Sequence, residues 1–131
     1  MNPALELRAL RGATTADANS GEAIAEAVQE LIAALVSHNG LEGQESRLLS
    51  ITFSVTADLD ACFPAAIARR QLNADGIALL DCQQMAVQGD LPRCIRLLAH
   101  AWLEPGRTPV HPYLRQATRL RPDRAVPPVD R

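Results

Sequence analysis

Strands mixed with one long helix, an α+β domain, are what this sequence predicts, and three patterns carry that expectation. Apolar residues alternate with a period of two over residues 5–11 and 47–54, as half-buried strands require. Between them Ile24, Val28, Leu31 and Leu35 recur at helical spacing. The chain has 131 residues, the length of one domain, and a domain near this size buries roughly two-thirds of its unfolded surface.

Each element has its own signals. In the first strand Leu5, Leu7 and Ala9 share a face, and Arg11 ends that row before Gly12. A charge that closes an apolar row either turns to solvent or lines a pocket. The helix is bounded by Asn19-Ser20 as N-cap, Glu22 in the first turn and Gly40 just past its end, giving residues near 20–39. The second strand sets Leu49, Ile51 and Phe53 on one face. Pro64 opens a short helix through Arg69 and Arg70, and Asp75-Gly76 marks a turn. The third strand, residues 77–81, aligns Ile77 and Leu79 with Asp81, again ending a row in a charge. Residues 90–102 read two ways: Leu91, Ile95, Leu98 and Trp102 have helical spacing, whereas alternation groups Cys94, Arg96, Leu98 and His100. Local signals alone favour the helix. Residues 105–112 read as a loop and Tyr113–Arg121 as a last strand. The domain is expected to span 1–121, leaving 122–131, with Pro122, Pro127 and Pro128, as a mobile tail.

Composition narrows the function. Aromatic residues are 3% of the chain, so the core must come from Leu, Ile, Val and Ala, and so lean a core gains from surface buried between subunits. A net charge of −2 argues against a general nucleic-acid binder. No transmembrane run or N-terminal apolar leader is evident. Cys62, Cys82 and Cys94 form no C-x-x-C pair, which fits reduced thiols and a cytoplasmic protein. His38, His100 and His111 lack metal-ligand spacing. All 13 basic residues are Arg, so any bound anion is held by planar forks that grip a carboxylate with two hydrogen bonds.

Four segments then fall into one pattern: Leu10-Arg11-Gly12-Ala13-Thr14-Thr15, Asp58-Leu59-Asp60-Ala61-Cys62-Phe63-Pro64-Ala65, Cys94-Ile95-Arg96 and Leu120-Arg121-Pro122-Asp123. Their order and spacing resemble the AroH-type chorismate mutases over nearly the whole chain. The resemblance implies a strand through Arg96, overriding the local helical signal. It implies a mixed five-stranded sheet with one long helix, three subunits forming a pseudo-α/β-barrel, and a site in each cleft between subunits. It implies the isomerisation of chorismate to prephenate with no cofactor, metal, nucleic acid or membrane. Arg96 would reach the ether oxygen and a substrate carboxylate. Arg11 would hold a carboxylate beside Tyr113. From the neighbouring subunit Phe63 and Ala65 would wall the ring and Arg69 would rim the entrance, while Arg121 would close over the dianion.

The chain also departs from that family. The family pattern has a Cys and, three residues on, a Glu that faces the substrate hydroxyl and balances the key arginine. Counting back from Arg96 without gaps, these positions hold Asp81 and Gln84, with Cys82 one place off. The expectation is that the carboxylate has moved to Asp81, which pairs with Arg96 or Arg11 while Gln84 gives a neutral hydrogen bond; the bland alternative is that Asp81 caps a turn. Ala66 stands where relatives often carry a basic residue. Open alternatives are a relative acting on another chorismate-derived acid and a non-catalytic trimeric binding protein. An enzyme using Cys82 or Cys94 with a His is poorly supported.

Overall fold

The computed structural model describes residues 4–72, 75–126 and 129. Strand β1 (Glu6–Thr15) leads to helix α1 (Gly21–His38), strand β2 (Leu48–Val55), helix α2 (Pro64–Leu72), strand β3 (Ala78–Gln83) and strand β4 (Cys94–Leu103). The sheet order is β1-β4-β2-β3. The β1/β4 and β4/β2 pairs are antiparallel and β2/β3 is parallel. Both helices contribute to one apolar core with the sheet, including Leu31, Leu35 and Ile67 beside Ile51, Phe53 and Leu97. The other sheet face carries the exposed Leu7, Leu80, Leu98 and Trp102. Among the described residues no helix is long and apolar enough to cross a membrane.

Residues 94–103 form the strand, and magnitudes explain why the helical signal loses. Helix propensities differ by a few tenths of a kcal/mol per residue. As a strand, β4 hydrogen-bonds to β1 and β2 together and fully buries Ile95, Ala99, Ala101 and Leu103. Each large apolar side chain contributes roughly 1.5–3 kcal/mol on burial and each net hydrogen bond about 1 kcal/mol. Packing therefore outweighs local preference several-fold.

Helix α1 follows its sequence signals closely. Ser20 Oγ accepts from Ala23 N at 3.1 Å. At the far end Gly40 takes φ of 69°, and Leu41 N returns to Val36 O at 2.9 Å, closing the last turn. Asn39 is buried and donates to Leu35 O and Val110 O while accepting from Val110 N. It thus ties the loop before Tyr113 to the helix end.

Two expectations need correction. Leu49 does not join Ile51 and Phe53: a bulge between Leu48 and Ser50 puts Leu48 in the core and leaves Leu49 40% exposed. The expected fifth strand over Tyr113–Arg121 is a single bridging residue, Tyr113, beside Ala13 and Ala125, followed by a 3-10 turn at Arg115–Arg119. Among the described residues the sheet therefore has four strands. The cause is Arg115, whose φ of 51° turns the chain out of extended geometry. Such a residue costs roughly 1–3 kcal/mol. Its guanidinium offsets this by meeting Glu30, Glu26 and Asp17 at 3.2, 3.3 and 3.7 Å. In the segment expected to be a tail, Pro122–Arg124 forms a 3-10 turn. Pro127 and Pro128 lie outside the described residues.

Gly12 permits the crossing of β1 by the segment before Tyr113. A Cβ there would meet Pro112 O at 3.0 Å and Leu31 and Leu97 at 3.4 Å, while Ala13 N donates to that same carbonyl at 3.0 Å. Gly12→Val is expected to destabilise the protein by about 1–3 kcal/mol through overpacking, read as a lower denaturation midpoint with an unchanged m-value.

Candidate active site

Alternation along β4 sends Ile95 and Leu97 into the core and Arg96 to the opposite face. Across the ladders Arg96 stands opposite Ser54 on β2 and Ala13 on β1. Its side chain is 14% exposed, and Nη2 donates to Asp90 Oδ1 at 2.9 Å. Asp90 Oδ1 also accepts from Leu91 N at 2.8 Å. The hydrogen bond from Arg96, followed by that from Leu91, holds the Asp90 carboxyl below its ordinary value. Arg96 Nη1 is buried with no hydrogen-bond partner. An unmet buried donor costs about 1–3 kcal/mol, more when charged, so this atom is primed for an anion.

Three expected site residues lie on the same side of the sheet. Gln84 follows β3; its N–H donates to Val55 O at 2.7 Å, and its Oε1 accepts from the hydroxyl of Ser54, the residue opposite Arg96. Gln84 and Asp90 line one cavity of about 380 Å³. Arg11 pairs with Leu98 two positions from Ala13, so it shares Arg96's face, and its side chain is exposed. Tyr113 is buried against Ala13 and Ala117, with Leu91 and Leu120 packed around them. Arg121 lies nearby, bound through Nε and Nη2 to Asp123 at 3.0 and 2.8 Å.

A second group gathers on the helix side of the sheet. Asp81 pairs with Phe53, whose partner across β2/β4 is Leu97, so Asp81 points to the core face and away from its own chain's Arg96. It accepts from Ala65 N at 3.0 Å and so caps the start of α2. Burial raises its pKa, against the lowering effects of that hydrogen bond and of Arg69. Within the protomer Asp81 therefore does not pair with Arg96, and the carboxylate on Arg96 is Asp90. Phe63 is 70% exposed, and with Asp81, Cys62 and Arg70 it lines a cavity of about 600 Å³. Ala65 is buried and Arg69 exposed. Phe63, Ala65, Arg69 and Asp81 thus form one cluster, and Arg96, Arg11, Gln84 and Tyr113 another.

The family model described as chorismate mutase type I matches residues 7–124. The chain belongs to the type I chorismate mutases. It is 41% identical over 118 residues to chorismate mutase AroH of Thermus thermophilus, covering 89% of this chain and 95% of that one. It is 29% identical over 118 residues to the AroH of Bacillus subtilis, covering 89% and 91%. A solved chorismate mutase from Clostridium thermocellum superposes with a TM-score of 0.75 at 35% identity, over 85% of this chain and 97% of the other. Membership makes the chain an isomerase.

Two thiols of this chorismate mutase, Cys94 and Cys62, are placed for packing. Burial pushes Cys94 up to about 11 and also raises Cys62. A nucleophilic cysteine needs the opposite shift.

Sequence reading missed His111 as well as Asp90. Arg11 N donates to His111 Nδ1 at 2.9 Å, which fixes the backbone beneath the Arg11 side chain. Burial, then Arg124, Arg121 and Arg11, lower the His111 pKa from 6.5. The unfolded chain therefore binds this proton more readily than the native one. The stability contributed by His111 is complete above its unfolded value and is lost as pH falls through 6.5 toward the lower folded value. Acidification from about pH 7.5 to about 5.5 should lower the melting temperature, and His111→Gln should reduce that pH-dependent part.

Proposed function

We propose that this chorismate mutase converts chorismate to prephenate in a cleft between two subunits of a homotrimer, with Arg96 at its centre. The reaction is a [3,3] rearrangement within one dianionic molecule that breaks an ether C–O bond and forms a C–C bond. It needs no nucleophile and no proton transfer. What accelerates it is confinement of the compact chair-like conformer and cations placed where charge develops on the ether oxygen.

The observation that carries this reading is the buried, unpartnered Nη1 of Arg96. A planar fork with one arm held by Asp90 has the other free for the ether oxygen and a neighbouring carboxylate. Arg11 takes the second carboxylate, Tyr113 hydrogen-bonds beside it, Gln84 offers a neutral contact, and Arg121 closes the pocket. Phe63, Ala65, Arg69 and Asp81 arrive from the neighbouring chain.

Two features support the assembly. Phe63 and Met85 are 70% and 77% exposed, a poor state for large apolar side chains unless another surface covers them. Among the described residues the sheet face bearing Leu7, Leu80, Leu98 and Trp102 is likewise without a helix above it. Sedimentation should return a particle of three 14.1 kDa chains.

Purified protein mixed with chorismate should consume the enol ether absorbance and yield prephenate. Arg96→Ala should lower kcat by about 10²–10³, the loss on removing one charge-stabilising donor. Arg96→Lys should not restore it, because a point charge cannot bridge two oxygens as a fork does. Wild-type protein without prephenate formation would overturn the reading.

A further inference from the structure

The geometry points to Asp90 as the positioning residue that holds Arg96 for the rearrangement, in place of the glutamate that the family pattern puts where this chain has Gln84. This rests on the mutase reading above and deepens it.

The Asp90 carboxylate meets Arg96 Nη2 at 2.9 Å, with 21% of its side chain exposed against 14% for the arginine. Half-buried charge pairs of this kind fix geometry better than surface pairs do. Asp90 is itself held, because the oxygen that binds Arg96 also accepts from Leu91 N. Leu91 in turn packs against Tyr113 and Ala13. The loop carrying Asp90 is shaped by Gly89 and Arg93 at φ of 83° and 47°, and Arg93 N is bound by Asp58 at 2.9 Å. The carboxylate is thus presented to Arg96 from an anchored turn.

Gln84 explains why the charge sits here. It lines the same cavity as Asp90 and is bound to Ser54, directly opposite Arg96. On this reading a carboxylate at either position serves the same guanidinium. With a neutral amide at 84, Asp90 is the only carboxylate that an ion pair joins to Arg96 among the described residues.

The test is exchange of the charge between the two positions. Asp90→Ala should lower kcat about 10–100-fold, the scale of a misplaced catalytic group, with the protein still folded and trimeric. Adding Gln84→Glu to that variant should recover at least about tenfold of the loss. Asp90→Asn, neutral and of the same shape, should fall in the same direction and be rescued by the same change, which covers the case in which the alanine variant misfolds. A residue that merely shaped the loop would not be rescued from position 84. Unchanged kcat in Asp90→Ala, absence of rescue, or a rise in kcat/KM (the mark of a carboxylate that competes with substrate) would each overturn the proposal. Failure of the mutase reading looks different, since the unmodified protein would then make no prephenate. In that case the Arg96 Nη protons still report: by NMR they should be resolved in the parent and averaged in Asp90→Ala, and the same spectrum in both would refute the role.

Discussion

Strand β4 carries two loads on one backbone, and its two-residue period keeps them apart. Ile95, Leu97, Ala99 and Ala101 fill the core while Arg96 stands on the opposite face. A slip of one residue would exchange those faces, driving a guanidinium into the apolar layer, where an unpaired charge costs several kcal/mol at least. The packed core therefore fixes the register of the site. It also decides which residues meet Arg96 within a protomer. Ser54 and Ala13 are admitted by pairing, and Asp81 is turned away because it sits beside Phe53.

The free edge of β1 is finished by a segment that is hardly a strand. Gly12 lets Pro112 approach, Tyr113 bridges to Ala13, and His111 accepts from Arg11 N. Arg115 then turns the chain, held by carboxylates of α1 and by the Thr15 carbonyl. The positions of Arg11 and Tyr113 thus depend on contacts made by α1 on the other side of the molecule. Stability and site geometry share the same bonds here.

Periodic elements were legible because their physics is local. Ser20, Glu22 and Gly40 bound α1 as their chemistry requires, and the alternation of Ile77, Leu79 and Asp81 set their shared face. What was hidden came from tertiary choices. The bulge at Leu48 and Ser50 and the left-handed turn at Arg115 leave no period in the sequence. Arg96 as a site residue was carried by family resemblance and not by pattern. Asp90 was invisible for a different reason: it lies six positions before Arg96, and only the turn through Gly89 and Arg93 brings the two together. Asp81 attracted the prediction because it ends an apolar row, yet that same row belongs to the core.

Charge balance links the two clusters. On the proposed reading the substrate brings two negative charges, and Arg96 and Arg11 oppose them from one chain. Asp90 already neutralises part of Arg96, and Arg121 is engaged by Asp123. One protomer is therefore short of free positive charge for a dianion in a cavity poorer in water than bulk solvent, where each missing counter-charge counts for more. On that same reading Arg69, in the other cluster beside Asp81, is the cation that makes up the difference from a neighbouring chain. If Asp90 steadies Arg96 as proposed, it also deepens the dependence of binding on assembly: the more firmly a protomer holds its central arginine, the more it needs its partner's.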